Sequence, residues 1–263
     1  MSEYKISVIM AVYNCANTLQ EALDSLYCQS YKKFKVILCD DGSTDDTLLI
    51  AEHNAANHKN VVLIKNETNK GLNYSLNHCL QYADTEFCAR MDGDDISLPV
   101  RFEKELAFLE SNSEYAVVST PMIYFDDNGE FRRGVGCGEI LKTNFLHGTP
   151  ICHAPCMFRT DVVKSVGGYA DGEEYKRVED YHLWFKLFSS GYKLFELDEC
   201  LYKMRDDRNA KNRRRWIGRR NTFTLMNKGF RMIGLPWWSH IFSLRPIITY
   251  LLPDFVYNYF HKR

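Results

Sequence analysis

The first 112 residues alternate between short, continuous apolar runs and stretches in which apolar residues recur every three or four positions. A continuous apolar run of this length predicts a strand that is buried on both faces, and the wider spacing predicts a helix. Strands are predicted over residues 6–13, 34–39 and 61–65, and a fourth begins at residue 87. Strands that alternate with helices through short connections predict an α/β fold with a mostly parallel sheet flanked by helices.

Polar residues and a proline predict where the helices of this region begin. Asn17, with Gln20 three residues later, has the pattern of a capping box. Thr44 or Asp45 is expected to begin the second helix. Pro99 stands at a first-turn position, and its helix is expected to reach about residue 112.

The pattern changes in the second half of the chain. Residues 116–120 and 124–132 are predicted strands, the latter turned back on itself as a hairpin at residues 127–129. A strand over residues 156–159 is followed by a helix that starts after Asp161. Another helix begins at Glu179 and Asp180, where the helix dipole favours negative charge. These two carboxylates therefore either cap the helix only or have a chemical role.

Acidic side chains collect where the predicted strands end. Asp40 and Asp41 follow the second strand, and Asp92, Asp94 and Asp95 follow the fourth. In a parallel sheet these ends share one edge, which is where ligands bind. Crowded carboxylates repel one another unless a cation neutralises them, and oxygen ligands suit Mg²⁺ or Mn²⁺ completed by substrate phosphates. The alternative is an acidic surface turn.

The charge is distributed unevenly along the chain. The net charge of the 263 residues is −1, yet residues 208–263 carry twelve Lys and Arg against one acid, which leaves 21 basic and 33 acidic residues in 1–207. A basic segment on an acidic body suggests an anionic partner. We therefore expect a domain over residues 1–207 and a separate extension over residues 208–263.

The cysteines and the apolar segments bear on location. Nine cysteines, an odd number without a C-x-x-C pair, argue against a disulfide framework or a zinc site. No signal peptide is recognisable, and the uncharged stretch near residues 232–244 is too short to span a bilayer. We expect a cytoplasmic protein.

Five short motifs follow one another in the order VIMAVYN from Val8, DDGS from Asp40, NKG from Asn69, DGDD from Asp92 and EDY from Glu179. This combination resembles the family 2 glycosyltransferases of the GT-A fold over about residues 5–205. The basic segment and the aromatic tail resemble members that build bacterial surface polysaccharides. The resemblance implies a nucleotide-binding half over residues 1–105, an acceptor half over 106–207 and a helical, basic and aromatic extension.

The resemblance also implies roles for individual residues. The nucleotide base would be held by Ala11, Tyr13 and Asp41, with Asp40 beside them. Asp92 and Asp94 match the D-x-D motif, which joins the ribose and a Mn²⁺ or Mg²⁺ ion to the diphosphate. Asp180 matches the base that deprotonates the acceptor hydroxyl, in a displacement that inverts the anomeric carbon.

The chain departs from the family in the helix after Asn-x-Gly, where many members carry an arginine and this chain has residues 73–77 without one. Arg90 is therefore expected to supply positive charge, unless it forms a structural salt bridge, and Lys70 is the next choice. His153 is expected either to face the cleft or to cap a loop. The remaining candidates are Arg205, which Asp206 and Asp207 could pair with instead, Glu179 and Asp95.

The function expected from this resemblance is a metal-dependent, inverting transferase that uses a nucleotide-sugar, most simply a UDP-sugar, and a saccharide or lipid-linked glycan acceptor. A nucleotide-sugar-binding protein without catalysis and, on weaker grounds, a phospho-accepting signalling domain are the alternatives. The tail, with Trp237 and Trp238, is expected either to bind an anionic membrane on its inner face or to pack on the body. Nucleic acid is not expected as a partner.

Overall fold

A computed structural model describes residues 3–206 and 216–251 of the chain. Its strands are β1 (Ile6–Val12), β2 (Phe34–Asp40), β3 (Val61–Lys65), β4 (Phe87–Met91), β5 (Ile96–Ser97), β6 (Tyr115–Ser119), β7 (Met122–Asp126), β8 (Gly129–Arg133), β9 (Gly138–Glu139), β10 (Met157–Arg159), β11 (Lys193–Glu196) and β12 (Tyr202–Arg205). Its α-helices are α1 (Leu19–Tyr27), α2 (Thr47–Asn57), α3 (Leu72–Tyr82), α4 (Arg101–Ser111), α5 (Thr160–Ser165), α6 (Glu179–Ser189), α7 (Trp216–Met232) and α8 (Arg245–Leu251).

An eight-stranded sheet in the order β3-β2-β1-β4-β10-β6-β11-β9 organises the molecule. The four strands predicted first, β1 to β4, are parallel to one another, and β10 runs antiparallel between β4 and β6. Val12 is in register with Asp40, and Met10 with Met91, so β1, β2 and β4 end at the same edge. The predicted mostly parallel sheet flanked by helices is confirmed.

A smaller sheet in the order β5-β12-β7-β8 lies beyond that edge. Its β7–β8 pair is the predicted hairpin. Strand β12 pairs with β5, which directly follows the acidic motif after β4. Arg205, at the end of β12, is thereby brought back to the ends of the first strands.

Four predicted helix starts differ from the structure by one to three residues. Helix α4 begins at Arg101, two residues after Pro99, and α5 begins at Thr160, so that Asp161 lies in its first turn rather than before it. Helix α1 begins after Thr18 rather than at Asn17, and the Thr18 hydroxyl donates to the carbonyls of Cys15 and Gly93 at 3.2 and 2.9 Å. Helix α2 begins at Thr47, because the Asp45 carboxylate accepts the Thr47 N–H at 3.0 Å and holds the chain in a turn before the helix. Tertiary contacts and a local turn thus override the simple capping pattern.

Apolar side chains pack in two clusters, one against each face of the large sheet. Helix α7 belongs to one of them, because Leu225, Met226 and Phe230 are buried in the cluster that includes helix α6. At Gly229 a Cβ atom would come within 2.4 Å of the Phe185 ring, so only glycine allows the two helices this approach. Helix α7 is therefore part of the folded body.

The described part of the C-terminal extension is helical, with a 3₁₀ helix over Trp237–Leu244 between α7 and α8. Of the basic residues at the start of the extension, Arg219 and Arg220 belong to α7, and the others lie outside the described residues: Lys211, Arg213, Arg214 and Arg215. The division at residue 207 stays a prediction. None of the helices in the described ranges is both long and apolar enough to cross a membrane.

Candidate active site

The first cleft opens at the carboxyl ends of β1 and β4 and has a volume of about 390 Å³. We call it the β1 cleft; it is lined by Ala11, Val12, Tyr13, Asn14, Cys15, Asn17, Thr18, Asp92, Gly93, Asp94 and Arg205. Tyr13 leaves 46% of its surface exposed there. Of the predicted nucleotide-binding residues, the structure brings Ala11, Tyr13 and Asp92 into this one space.

Asp40 and Asp41 are buried beside the β1 cleft rather than on its surface. The Asp41 carboxylate accepts hydrogen bonds from the Asn66 side chain at 2.7 Å and from the backbone N–H groups of Lys70 and Gly71 at 2.9 and 2.8 Å. These bonds tie the end of β2 to the turn that begins α3. The Lys70 side chain itself is exposed.

Asp40 has an oxygen without a partner. Its Oδ2 accepts the N–H of Ser43 at 3.2 Å, but its buried Oδ1 has no hydrogen-bond partner in the described part of the chain. A buried polar atom left without a partner is costly, which calls for a water molecule or a ligand atom beside it. Asp40 thus keeps one carboxylate oxygen that can accept a hydrogen bond, whereas both oxygens of the Asp41 carboxylate already accept one.

Gly93 allows the two flanking aspartates to reach the cleft. A Cβ at this position would lie 2.8 Å from Val12 Cγ1 and 2.9 Å from Cys15 Sγ, so a side chain would force β1 and β4 apart. Asp94 is exposed at the cleft wall. The packing around its carboxyl group and the negative charge of Asp92 raise the pKa of Asp94.

Arg90 and Asp92 form an ion pair of 2.5 Å at the end of β4. Burial lowers the pKa of Arg90, but the negative charge of Asp92, together with smaller contributions from Tyr202, Tyr169 and Cys156, raises the pKa overall, so the guanidinium stays charged. Arg90 Nε is buried and has no partner among the described residues. The predicted salt bridge of Arg90 is therefore present, and its partner is the first aspartate of the D-x-D motif.

A second cleft of about 470 Å³ adjoins the first. We call it the α6 cleft; it is lined by Arg90, Asp92, Met122, Tyr124, Thr149, Pro150, Ile151, Cys152, His153, Ala154, Asp180, Glu196 and Met204. Asp92 lines both clefts. The structure therefore joins the D-x-D motif to Asp180, 86 residues further along the chain than Asp94, through one shared side chain.

Asp180 stands in the first turn of α6 and faces the α6 cleft. Burial raises its pKa, although the Tyr181 N–H, at 2.7 Å from Oδ1, and the Thr149 side chain oppose the rise. Burial and the charge of Asp180 raise the pKa of the neighbouring Glu179 to about 7. Glu179 does not belong to the lining of the α6 cleft. Of the two carboxylates, Asp180 is thus the one that faces the α6 cleft.

His153 lies in the wall of the α6 cleft and is almost completely buried. Its Nε2 is 2.8 Å from the Tyr169 hydroxyl, and its ring meets Trp184 edge to face. Burial and the positive charge of Arg90 lower the pKa of His153 well below its usual range. His153 is therefore a neutral residue of the cleft wall.

Arg205 enters the β1 cleft with its charge already engaged. It pairs with Glu21 at 2.6 Å and with Asp127 at 3.2 Å, and its Nε donates to the Asp94 carbonyl at 3.2 Å. Its backbone N–H donates to the buried carboxyl group of Asp95 at 2.8 Å. Burial, followed by the charges of the other two aspartates, raises the pKa of Asp95 to about 8. Asp95 thus anchors β12 under the site.

Sequence reasoning missed three residues that build the site. Asn66 follows β3 and holds Asp41, and Glu196 ends β11, is buried and lines the α6 cleft. Both stand at strand ends, the same signal that identified Asp40. Arg101 is fully buried in an ion pair with Glu105 and donates to the Arg90 carbonyl at 2.9 Å. No pattern in the sequence distinguishes that pair from the exposed charges of a helix.

The residues at the cleft edge fit a divalent cation. In the described part of the chain, Asp94 has no cationic side chain within ion-pair distance; burial first, and then the negative charge of Asp92, raise its pKa, and a metal ion would relieve the repulsion between the two carboxylates. No group of three or more His, Cys, Asp or Glu in the described ranges has a metal-binding arrangement. Two carboxylates suit Mg²⁺ or Mn²⁺ only when substrate phosphates complete the shell.

Comparison with known proteins agrees with this arrangement. Residues 7–167 match the family described as Glycosyl transferase family 2. EpsE of Bacillus subtilis (strain 168), which is named as a glycosyltransferase, is 42% identical over 98% of this chain and 94% of its own. The amylovoran biosynthesis glycosyltransferase AmsE of Erwinia amylovora is 32% identical over 80% of this chain and 79% of its own.

A solved structure shows the same fold. Residues 1–349 of S. aureus TarS, crystallised with UDP-GlcNAc, superpose with a TM-score of 0.71 at 20% identity over 94% of this chain and 71% of that chain. At this level of identity the likeness supports the fold alone. The predicted GT-A architecture is confirmed.

Proposed function

The chain belongs to glycosyl transferase family 2, and we propose that it moves a sugar from a UDP-sugar to a hydroxyl group of a saccharide or lipid-linked glycan in polysaccharide biosynthesis. The observation that carries this proposal is the position of Asp92 in both clefts, between Asp94 on one side and Asp180 on the other. A donor in the β1 cleft and an acceptor in the α6 cleft would meet at that residue. The biosynthetic name of AmsE supports the polysaccharide context.

The uracil ring is proposed to bind at the ends of β1 and β2. The imide N–H of uracil is a donor, and the free Oδ1 of Asp40 is the acceptor that lacks one. The exposed ring of Tyr13 can stack on the base. Asp41 keeps a role in this pocket, since its bonds to the turn at Lys70 and Gly71 fix the wall against which the base would lie. Ala11 lines the same cleft.

Asp92 and Asp94 would hold a Mn²⁺ or Mg²⁺ ion together with the donor diphosphate. When bound, such an ion neutralises the charge that builds up on the departing diphosphate. Arg90 is the nearest buried cation, and its pairing with Asp92 keeps it at the junction of the clefts. The exposed ammonium of Lys70 stands at the turn and can reach outward to the phosphates as the second source of positive charge. Arg205 is paired with Glu21 and Asp127, and we assign it to the support of the β1 cleft wall.

Asp180 is proposed as the general base. Its raised pKa makes it a better proton acceptor than an ordinary surface aspartate. It would take the proton of the acceptor hydroxyl as the oxygen attacks the anomeric carbon, and the bond to the diphosphate breaks on the opposite face. One displacement from the opposite face inverts the anomeric configuration.

The C-terminal helices are proposed to hold the enzyme on the inner face of the cytoplasmic membrane. Trp237 is 85% exposed and Trp238 53% exposed, so the alternative in which the tryptophans fill the core of the body is wrong for these two residues. Exposed apolar side chains also continue into α8 at Ile248 and Leu251. Tryptophan favours the headgroup boundary, and basic residues favour anionic lipid.

The test of the proposed function is a screen of nucleotides and nucleotide-sugars. With Mn²⁺ present, UDP should raise the melting temperature of the full chain more than GDP, CDP or dTDP, and one UDP-sugar should be consumed with release of UDP. Stabilisation by another nucleoside diphosphate instead would contradict the assignment of Asp40 to uracil. Binding without any turnover across acceptors would favour a nucleotide-sugar-binding protein without catalysis.

A further inference from the structure

A third cavity of about 190 Å³ lies between the C-terminal helices and the loop before β10. We call it the α7 cavity; it is lined by His147, Gly148, Arg219, Thr222, Met226, Arg245, Pro246 and Thr249. A single ordered water needs only ~10–15 Å³, so the space admits a much larger polar group. Nothing in the proposed mechanism uses this cavity.

Two arginines converge on the α7 cavity without a neutralising charge. Arg219 comes from α7 and Arg245 from the start of α8, and in the described part of the chain neither forms an ion pair with a carboxylate. Arg245 Nη1 donates to the His147 carbonyl at 3.1 Å, which holds its guanidinium at the rim. No acidic residue belongs to the lining. Two guanidinium groups in one pocket repel each other, and an anion with several oxygens removes the repulsion through bidentate bonds.

One segment of the chain lines both the α7 cavity and the α6 cleft. His147 and Gly148 line the α7 cavity, and the following residues from Thr149 to Ala154 line the α6 cleft. The Cα atoms of Gly148 and Thr149 are ~3.8 Å apart by covalent geometry. Thr149 also contacts the Asp180 carboxyl group. A ligand that placed a sugar beside Asp180 could therefore place an attached anionic group beside the arginines.

Exposed apolar side chains lie on the same helices that form the α7 cavity. Trp237, Ile241 and Leu244 are on the 3₁₀ helix, and Ile248 is on α8, one residue before Thr249 of the cavity lining. Their exposed fractions run from 44% to 85%. An amphiphile with an anionic head and a hydrocarbon tail would match this order of a sugar cleft, a cationic cavity and an apolar surface.

We infer that the α7 cavity binds the diphosphate headgroup of a lipid-linked acceptor, with Arg219 and Arg245 as its ligands. This inference rests on the proposed function and adds to it the chemical class of the acceptor. It also gives the basic C-terminal helices a role in substrate binding that is distinct from attraction to the bilayer as a whole.

The experiment measures the binding of two probes, inorganic pyrophosphate and farnesyl diphosphate, to the full chain by calorimetry in the presence of EDTA. EDTA removes the divalent ions that a diphosphate would need at Asp92 and Asp94. Arg219→Gln and Arg245→Gln are compared with Arg220→Gln, which removes the same charge from the adjacent, exposed position of α7. Arg219→Gln and Arg245→Gln should each weaken the binding of both probes by about tenfold or more, as loss of a charge-assisted bond implies.

The two probes separate a lipid headgroup from a free anion. Farnesyl diphosphate should bind more tightly than pyrophosphate, because only it can use the apolar surface, and Ile248→Ser should remove that difference. Equal affinity for the two probes would overturn the assignment to a lipid-linked acceptor. Equal weakening by Arg220→Gln would show general attraction to basic charge and would also overturn the inference.

A donor-binding control separates this inference from the proposed function. UDP with Mn²⁺ should bind wild type, Arg219→Gln and Arg245→Gln with the same affinity, since the β1 cleft is untouched. If it does so while the arginine variants still bind both probes like wild type, the α7 cavity is not the headgroup site and the proposed function stands. If wild type fails to bind UDP with Mn²⁺, the proposed function fails and this inference fails with it.

Discussion

Arg90 and Asp92 leave the end of β4 two residues apart and close a 2.5 Å ion pair at the wall between the two clefts. Only Asp92 reaches the β1 cleft, so its carboxylate is shared between the internal arginine and whatever binds beside Asp94. Asp94 has no such cationic partner in the described ranges, and its pKa is raised. Asp92 therefore shares its negative charge with Arg90, whereas the charge of Asp94 is free to bind a metal ion.

The first prediction concerns Asp94. Asp94→Asn keeps the size of the side chain and removes the charge that is free to meet a cation, so Mn²⁺-dependent UDP binding should fall by more than the ~10–100-fold that loss of an outer-shell partner costs. The melting temperature without ligand should not fall, because like-charge repulsion is relieved. Calorimetry with and without Mn²⁺ measures the effect. UDP affinity equal to that of wild type with Mn²⁺ present would remove the metal assignment.

The second prediction separates binding from chemistry at Asp180. Asp180→Asn should lower kcat by ~10²–10⁴, the usual contribution of a positioned base, and leave UDP and Mn²⁺ affinity nearly unchanged. Glu179→Gln is the matched control and should retain most activity. An NMR spectrum of the wild-type product should show inversion at the anomeric carbon. Retention of configuration, or full activity in Asp180→Asn, would refute the proposed mechanism.

The third prediction is the pH dependence of kcat/KM. Burial raises the pKa of Asp180 above its ordinary value of ~3.9, so the protonated, inactive fraction at a given acidic pH is larger than for an exposed aspartate. Activity should therefore be lost as the pH falls through that raised pKa. The pKa of Glu179 is raised to about 7, and the variant Glu179→Gln removes that titration, which tells the two residues apart. The loss of activity at acidic pH should persist in Glu179→Gln. If wild type instead loses activity near pH 7 and this loss disappears in Glu179→Gln, the general base would be Glu179.

Much of the fold could be predicted because β1 to β4 and the helices between them are marked by local periodicity. The predicted start of α1 shows the limit of that reasoning. Asn17 has a better capping sequence than Thr18, yet the Thr18 hydroxyl is bound by the carbonyl of Gly93, which is 75 residues away. Such a contact exists only after β4 has been placed beside β1, so no local pattern can report it.

The candidate site was predictable at strand ends and unpredictable where distant charges meet. Asp40, Asp41 and Asp92 followed from the topology of a parallel sheet. The ion pair between Arg205 and Glu21 of α1, 184 residues away, did not, because it forms only after α1 and β12 have come together. The buried Glu196 carried the same strand-end signal as Asp40 and could have been found once β11 was recognised as a strand.

The fourth prediction concerns Asn221 of α7, which is buried and donates to the carbonyls of Glu173 and Lys176 at 2.7 and 3.1 Å. These bonds fix the segment that leads to Asp180, because Lys176 lies three residues before the start of α6. Asn221→Asp keeps the shape but loses the donors, so unfolding should become easier by ~1–3 kcal/mol, or a few °C in Tm. Thr224→Ala, exposed on the same helix, is the control.

A positioning role for Asn221 requires more than lower stability. At a temperature where the variant is fully folded, kcat should fall while the KM for the donor stays constant, because the β1 cleft does not contact this segment. A variant that is less stable but has the kcat of wild type would show that α7 supports the fold without orienting Asp180.

The last prediction concerns the membrane. Helix α7 packs into the core through Leu225 and Phe230, so removing the whole extension would expose apolar surface and confuse loss of binding with loss of folding. Point substitutions avoid this problem. Trp237→Ser and Trp238→Ser together change two exposed rings and no core contact, whereas Leu49→Ser, at an exposed apolar position of α2, is the control on the body.

The full chain should sediment with vesicles of phosphatidylethanolamine and phosphatidylglycerol at low salt. The double variant should lose about tenfold or more of that binding, since each tryptophan would otherwise bury apolar area at the headgroup boundary. Salt should release part of the wild type, because the basic residues of the extension act through a screened attraction and the tryptophans do not. If the wild-type chain ignores these vesicles at low salt, the exposed tryptophans serve another purpose and peripheral attachment is wrong.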